Sequence, residues 1–165
     1  MPSSPSAIWK SLPAATRVAV ADAFWRDETS PDIHVQHVEA IVALARRLNF
    51  RPKSLQALPI ERRAKQLAQV DEVSDAIATR ALIAFHFSTR RALMGAFLDA
   101  LGIAHDQGLI TAEEVAPPTR DQLLAAARAL QGGFPDDDVA LYLRTLSALD
   151  GDTWGQLDGV WPLSS

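Results

Sequence analysis

From Thr79 to Gly102 the chain reads TRALIAFHFSTRRALMGAFLDALG, and at a helical pitch its apolar residues do not share one stripe. Leu82, Phe85 and Ala96 lie on one side, while Ile83, Phe87, Met94 and Leu101 lie on nearly the opposite one. A helix that is apolar on more than one side is enclosed by others, so the spacing predicts a buried central helix over about 75–101. Polar residues occupy two narrow seams, with Arg80, Ser88, Arg91 and Asp99 in one and Thr79, His86 and Arg90 in the other. So long a periodicity is expected to falter, and Ser88 and Thr89 are where.

The rest of the chain supplies helices to surround it. Ser4 or Ser6 can cap an opening turn that holds Ile8 and Trp9, and Pro13 then stands at a first helical position. The helix after it, to about Arg26, spaces Val18, Ala21, Phe24 and Trp25 helically. Ser30, Pro31 and Asp32 form a start signal for a second helix to about Asn49. Arg51 and Pro52 interrupt, leaving Ser54 to Leu58 a turn or two before Pro59 opens PIERRAKQLAQV. A bend at Asp71 to Ser74 is expected, with Ser74 capping the central helix, which Gly102 closes.

IAHDQGLI then reads as a loop. Thr111 with Glu114 matches a capping box for a helix kept short by Pro117 and Pro118, and Thr119 with Gln122 matches it again before Leu123, Ala127 and Leu130. Gly132 and Gly133 stop that helix. Pro135 and Asp136 to Asp138 begin a last long one, carrying Val139, Tyr142, Leu143, Leu146 and Leu149 on one face. The tail DGDTWGQLDGVWPLSS reads as turns capped by Asp152 or Thr153, with Trp154 and Trp161 folded onto the core. No strand and no repeat period is apparent. The expectation is an all-α single domain over 1–165, of six to eight helices around the central one, with 1–12 and 151–165 as irregular arms.

At 165 residues and 48% hydrophobic, the chain is long enough for a substantial core. The absence of cysteine excludes disulfides, thiolate metal sites and Cys nucleophiles. MPSSPSAIWKSLP lacks an apolar core of signal-peptide length, and no run approaches a membrane span. A cytoplasmic protein with no membrane association is therefore expected.

Net charge is −4, unevenly distributed. Residues 46 to 91 hold ten of the sixteen bases (Arg46, Arg47, Arg51, Lys53, Arg62, Arg63, Lys65, Arg80, Arg90 and Arg91) against four acids. From Ala92 onward there are eleven acids and three bases. A basic middle that faces the acidic end, within one chain or between two, is the simpler reading. A basic surface for nucleic acid, gripping phosphates through Arg46, Arg47, Arg51, Lys53, Arg62, Arg63 and Lys65, is the alternative.

Four constellations could carry chemistry. His34 and His37 form an H-x-x-H pair, and His105 with Asp106 an adjacent His-Asp pair. HVEAIVALARRL from His37 and LGIAHDQG ending at Gly108 outwardly resemble the HD superfamily of metal-dependent phosphohydrolases. That resemblance implies a divalent metal on His34 or His37 with His105 and Asp106, Asp150 or Asp152 serving as a late ligand. LAQVDEVSDAIATRAL, from Leu67 to Leu82, partly matches a helix-turn-helix reader in Ala68, Val73, Ser74, Arg80 and Leu82, with Glu72 and Asp71 where glycine and an apolar residue belong. Asp150, Asp152 and Asp158 imitate a calcium loop, but Trp154 and Trp161 take ligand positions and exclude it.

The fourth is charge on a helix with little free surface. His86, Arg90, Arg91 and Asp99 must be paired, hydrated or functional there. One reading is a salt-bridge network from Arg91 or Arg80 to a C-terminal acid. The other is a polar pocket, completed by His105 and Asp106, for a small anion. No phosphate loop, dinucleotide fingerprint or nucleophile elbow is present. The reading that follows is a non-enzymatic interaction or regulatory module without cofactor, acting on a protein partner or on itself, with the phosphohydrolase and nucleic-acid readings as alternatives.

Overall fold

A computed structural model of the protein describes residues 4–29 and 32–163. Its α-helices are α1 (Pro5–Ser11), α2 (Ala14–Arg26), α3 (Ile33–Leu48), α4 (Pro52–Gln56), α5 (Ile60–Ala68), α6 (Asp75–Thr89), α7 (Arg91–Leu101), α8 (Arg120–Leu130), α9 (Asp136–Leu149) and α10 (Gly151–Trp154). The protein is all-α, as the periodicity predicts. Ten helices among the described residues exceed the expected six to eight because α4 and α10 are single turns. No helix among the described residues is long and apolar enough to cross a membrane. The chain packs as two compact units, Pro5–Phe85 and the residues from His86 onward.

In the first unit α2 lies along α5, and α3 packs on α4 and α5. Val20, Ala21 and Phe24 of α2, Ala64 and Leu67 of α5, and Ile33, Ala40, Ile41 and Leu44 of α3 are buried. Arg17 ties the unit's ends together. Its guanidinium donates to the carbonyls of Lys10 and Ala68 and to Asp71, and lies 5.9 Å from the Trp9 ring centroid. Trp9 donates its indole N–H to the Val70 carbonyl at 2.7 Å. The α1 start falls at Pro5, so Ser6 is not its cap; the Ser6 N–H is taken instead by Asp75 at 3.0 Å. The Ser30–Pro31 start signal lies outside the described residues.

Expected boundaries recur at Asn49, in the left-handed region at φ 56°, at Gly102, φ 71°, and at Ser74, whose Oγ accepts the Ile77 N–H. Pro13 and Pro59 each stand one position before their helix rather than inside it. The central helix is broken. Arg90, at φ −128° and ψ 22°, separates α6 from α7, next to the expected irregularity. Ser88 and Thr89 favour this, since their hydroxyls compete for backbone groups and Thr89 is β-branched.

In the second unit α7 packs on α8, and both meet α9 and the C-terminal turns in one cluster. It includes Leu93, Met94, Phe97, Leu98, Leu123, Leu130, Tyr142, Leu143, Trp154 and Val160, with Trp161 packed at its margin. Phe97 meets the Tyr142 ring edge-on at 5.7 Å and Trp154 at 5.9 Å.

Three local expectations are corrected here. The IAHDQGLI loop is a two-strand hairpin, β1 (His105–Asp106) and β2 (Leu109–Ile110). Its turn residues Gln107 and Gly108, at φ 48° and 90°, give the left-handed pair that fits a tight hairpin. Residues 111–118 form no helix, because Pro117 and Pro118 leave fewer residues than a nucleus needs and bias Ala116 and Pro117 toward extended backbone. Finally, Asp150, not Asp152 or Thr153, caps the last turns by accepting the Thr153 N–H at 3.2 Å.

Candidate functional site

Breaking a helix frees carbonyls that need donors. At the α6–α7 break two arginines supply them. Arg91 donates its Nε–H to the Phe87 carbonyl at 2.8 Å and rests its guanidinium 5.4 Å from the Phe87 ring centroid. Arg90 donates to the Thr89 carbonyl at 3.2 Å and to Asp138 of α9, also at 3.2 Å. Within the second unit the ion pair to a C-terminal acid is thus made by Arg90, not by Arg91.

Arg91 also donates to the Gln107 side chain in the hairpin turn at 3.1 Å. The hairpin is fastened to α7 a second way. His105 Nδ1 accepts the Gly108 N–H at 3.1 Å, so its proton sits on Nε2, which donates to Asp99 at 2.7 Å. Gly95 makes room for that ring, since a Cβ there would stand 3.2 Å from His105 Cε1. Asp106 is exposed.

His86 stands apart from these, 3% exposed. The Thr145 hydroxyl donates to the Leu141 carbonyl at 2.7 Å, which leaves its oxygen to accept from His86 Nε2–H at 3.1 Å. Burial, with the Arg90 charge second, depresses the imidazole to about 3, so it is neutral at physiological pH. Burial also pushes the Tyr142 phenol up; its ring lies 5.5 Å from His86. Of the six residues expected to line one polar pocket, five are thus divided among three bonded sets, His86 with Thr145, Arg90 with Asp138, and Arg91, Asp99 and His105 at the hairpin, while Asp106 is exposed.

Among the described residues no three His, Asp or Glu side chains could hold one metal ion. His37 donates Nε2–H to the Phe24 carbonyl at 2.6 Å, between the Phe24 and Trp25 rings, and His34 is exposed. His37 belongs to the first unit and His105 to the second. The helix-turn-helix match fails similarly: Ser74 is a cap, and Ile77, Ala78, Ala81, Leu82, Ala84 and Phe85 bury much of the would-be reading helix.

Of the basic segment, Arg63 covers the Trp25 ring and Arg47 donates to the Gln69 carbonyl. Arg46, Arg51, Lys53, Arg62 and Lys65 are exposed and make no ion pair among the described residues.

Two features escaped the sequence reading. A cavity of about 290 Å³ lies between one face of α9 (Ala140, Leu143, Arg144, Ser147) and the turns at Leu157–Trp161. The other is the outer face of α3. Its inner face buries Ile33, Ala40, Ile41, Leu44 and Ala45, yet Val35, Val38 and Val42 remain 63, 43 and 38% exposed. At about 100° per residue these three, with Glu39 and Arg46, share roughly a third of the circumference, opposite the buried side. Phe50, 51% exposed, follows at the helix end, where its N–H returns to the Ala45 carbonyl. The i, i+3, i+7 spacing was in the sequence, but the stronger stripe through His37, Ile41, Leu44 and Leu48 hid it.

No protein-family model matches the chain, and neither a curated protein nor a solved structure is significantly similar to it.

Proposed function

We propose that this protein is a non-enzymatic interaction module that takes an amphipathic helix of a protein partner against the outer face of α3. The observation that carries this reading is the line of exposed valines. Val35, Val38 and Val42 leave 63, 43 and 38% of their surface exposed, and a β-branched residue on an exposed helix face is a poorer helix former than Ala, Glu or Lys. Single exposed apolar residues are ordinary, whereas three aligned along one helix offer the i, i+3, i+7 anchors of helix-to-helix recognition. Glu39 and Arg46 beside them supply charge for choosing a partner's orientation.

The test is a photo-crosslinking amino acid placed at Val38, with Ala129, exposed on α8, as the control position. In the source cell the expected outcome is a protein adduct from position 38, none from 129, and its loss when Val35 and Val42 are both changed to Glu. Absence of any adduct at 38, or an equal one at 129, overturns the reading.

A further inference from the structure

Which helix would lie on this face is constrained by the order of charges along it. Within the stripe the acid, Glu39, precedes the base, Arg46, by two turns, and valines flank the acid on both sides. Two copies of one helix that meet about a two-fold axis run antiparallel, and each residue then faces the residue equidistant from the axis on the other copy. Placing the axis between Val42 and Ala43 sets Glu39 across from Arg46 of the second copy, and Arg46 across from its Glu39. The same register brings Val42 beside its own counterpart at the axis and Val35 level with Phe50 beyond the other helix end. A parallel pair would instead oppose Glu39 to Glu39 and Arg46 to Arg46. Charge is thus self-complementary in one orientation and mismatched in the other.

We infer that the occupant of the α3 face is α3 of a second copy of this chain, packed antiparallel with two reciprocal Glu39–Arg46 pairs. This rests on the interaction reading above and names its partner. Glu39 and Arg46 are exposed in the single chain, and Val35, Val38 and Val42 are partly so, which places the substitutions away from the buried side of α3. The interface is one helix wide, so association belongs in the micromolar range rather than among obligate dimers.

Sedimentation velocity on the purified chain, from roughly one to several hundred micromolar, tests this, with circular dichroism verifying each variant's helicity. The wild type is expected to pass from monomer to dimer across that range, and Val38→Glu to stay monomeric. Glu39→Arg and Arg46→Glu should each raise the dimer Kd by roughly fivefold or more, because each turns two attractions into two repulsions. The double variant Glu39→Arg/Arg46→Glu should return to within about twofold of wild type, which the loss of a merely structural residue would not do. A chain monomeric throughout overturns the inference, as does a dimer indifferent to Glu39 and Arg46 or not rescued by the double swap. The photo-adduct at position 38 separates the two levels: an adduct with a different protein, beside a monomeric chain, removes self-pairing alone, whereas no adduct and no dimer removes both.

Discussion

Two buried hydroxyls on α9, two residues apart and so on nearly opposite sides of the helix, are used in opposite ways. Thr145 both donates and accepts, holding His86 in the core, whereas Ser147 is buried with an oxygen that meets no partner among the described residues. A buried hydroxyl without a bond has given up its hydration for nothing, so Ser147→Ala is expected to be neutral or to stabilise by up to about 1 kcal/mol. Thr145→Val removes the hydroxyl that accepts the His86 N–H and is expected to destabilise by about 1–3 kcal/mol. Denaturant midpoints of the two variants, measured side by side at pH 7, check the contrast; equal losses would contradict it. Gly108→Ala should cost at least as much as Thr145→Val, since its φ of 90° suits only glycine and the new Cβ would stand 2.7 Å from Met94 Cβ.

At the level of elements, the two capping-box matches separate motif from structure. Thr119 accepts the Gln122 N–H at 3.2 Å while the Gln122 side chain accepts the Thr119 N–H at 2.9 Å, and α8 follows. Thr111 and Glu114 carry the same letters ahead of Pro117 and no helix forms. Thr119→Ala is therefore expected to lower stability by about 1 kcal/mol and Thr111→Ala to stay within about 0.5, read from thermal melts. Helix existence and most boundaries were legible because they rest on local signals such as proline, left-handed residues and apolar spacing. The break at Arg90 was only half legible: Ser88 and Thr89 flagged a weak point, but nothing local said that Arg90 and Arg91 would donate to the carbonyls there. That is also why the residues of the expected polar pocket fall into separate bonded sets. Residues grouped by helical pitch along a continuous helix are redistributed once it breaks, and the partners that then claim them, Asp138, Gln107 and Thr145, are remote in sequence. The α3 surface was hidden for another reason, since periodicity reports an apolar stripe and not which of two stripes the fold will cover.

Across the whole molecule charge and titration divide along the two units. Pro5–Phe85 holds eleven bases and nine acids, the chain from His86 onward five bases and eleven acids, and the strongly depressed imidazole lies in the second. His86 titrates near 6.5 when unfolded and about 3 when folded, so between those values the unfolded chain binds the extra proton. Stability from keeping this ring neutral is complete above about 6.5 and is lost as pH falls toward 3, at a rate approaching about 1.4 kcal/mol per pH unit. The tryptophans allow the loss to be located, because Trp9 and Trp25 belong to the first unit and Trp154 and Trp161 to the second. Variants retaining only the Trp154 reporter or only the Trp9 reporter, unfolded in denaturant at pH 7 and pH 5, should show the larger acid-induced fall in midpoint at Trp154. His86→Gln keeps an N–H for Thr145 but cannot titrate, so it should abolish most of the difference. A Trp154 midpoint that falls no more than that of Trp9, or a fall unchanged by His86→Gln, would show that acid acts through the carboxylates and not through this buried ring.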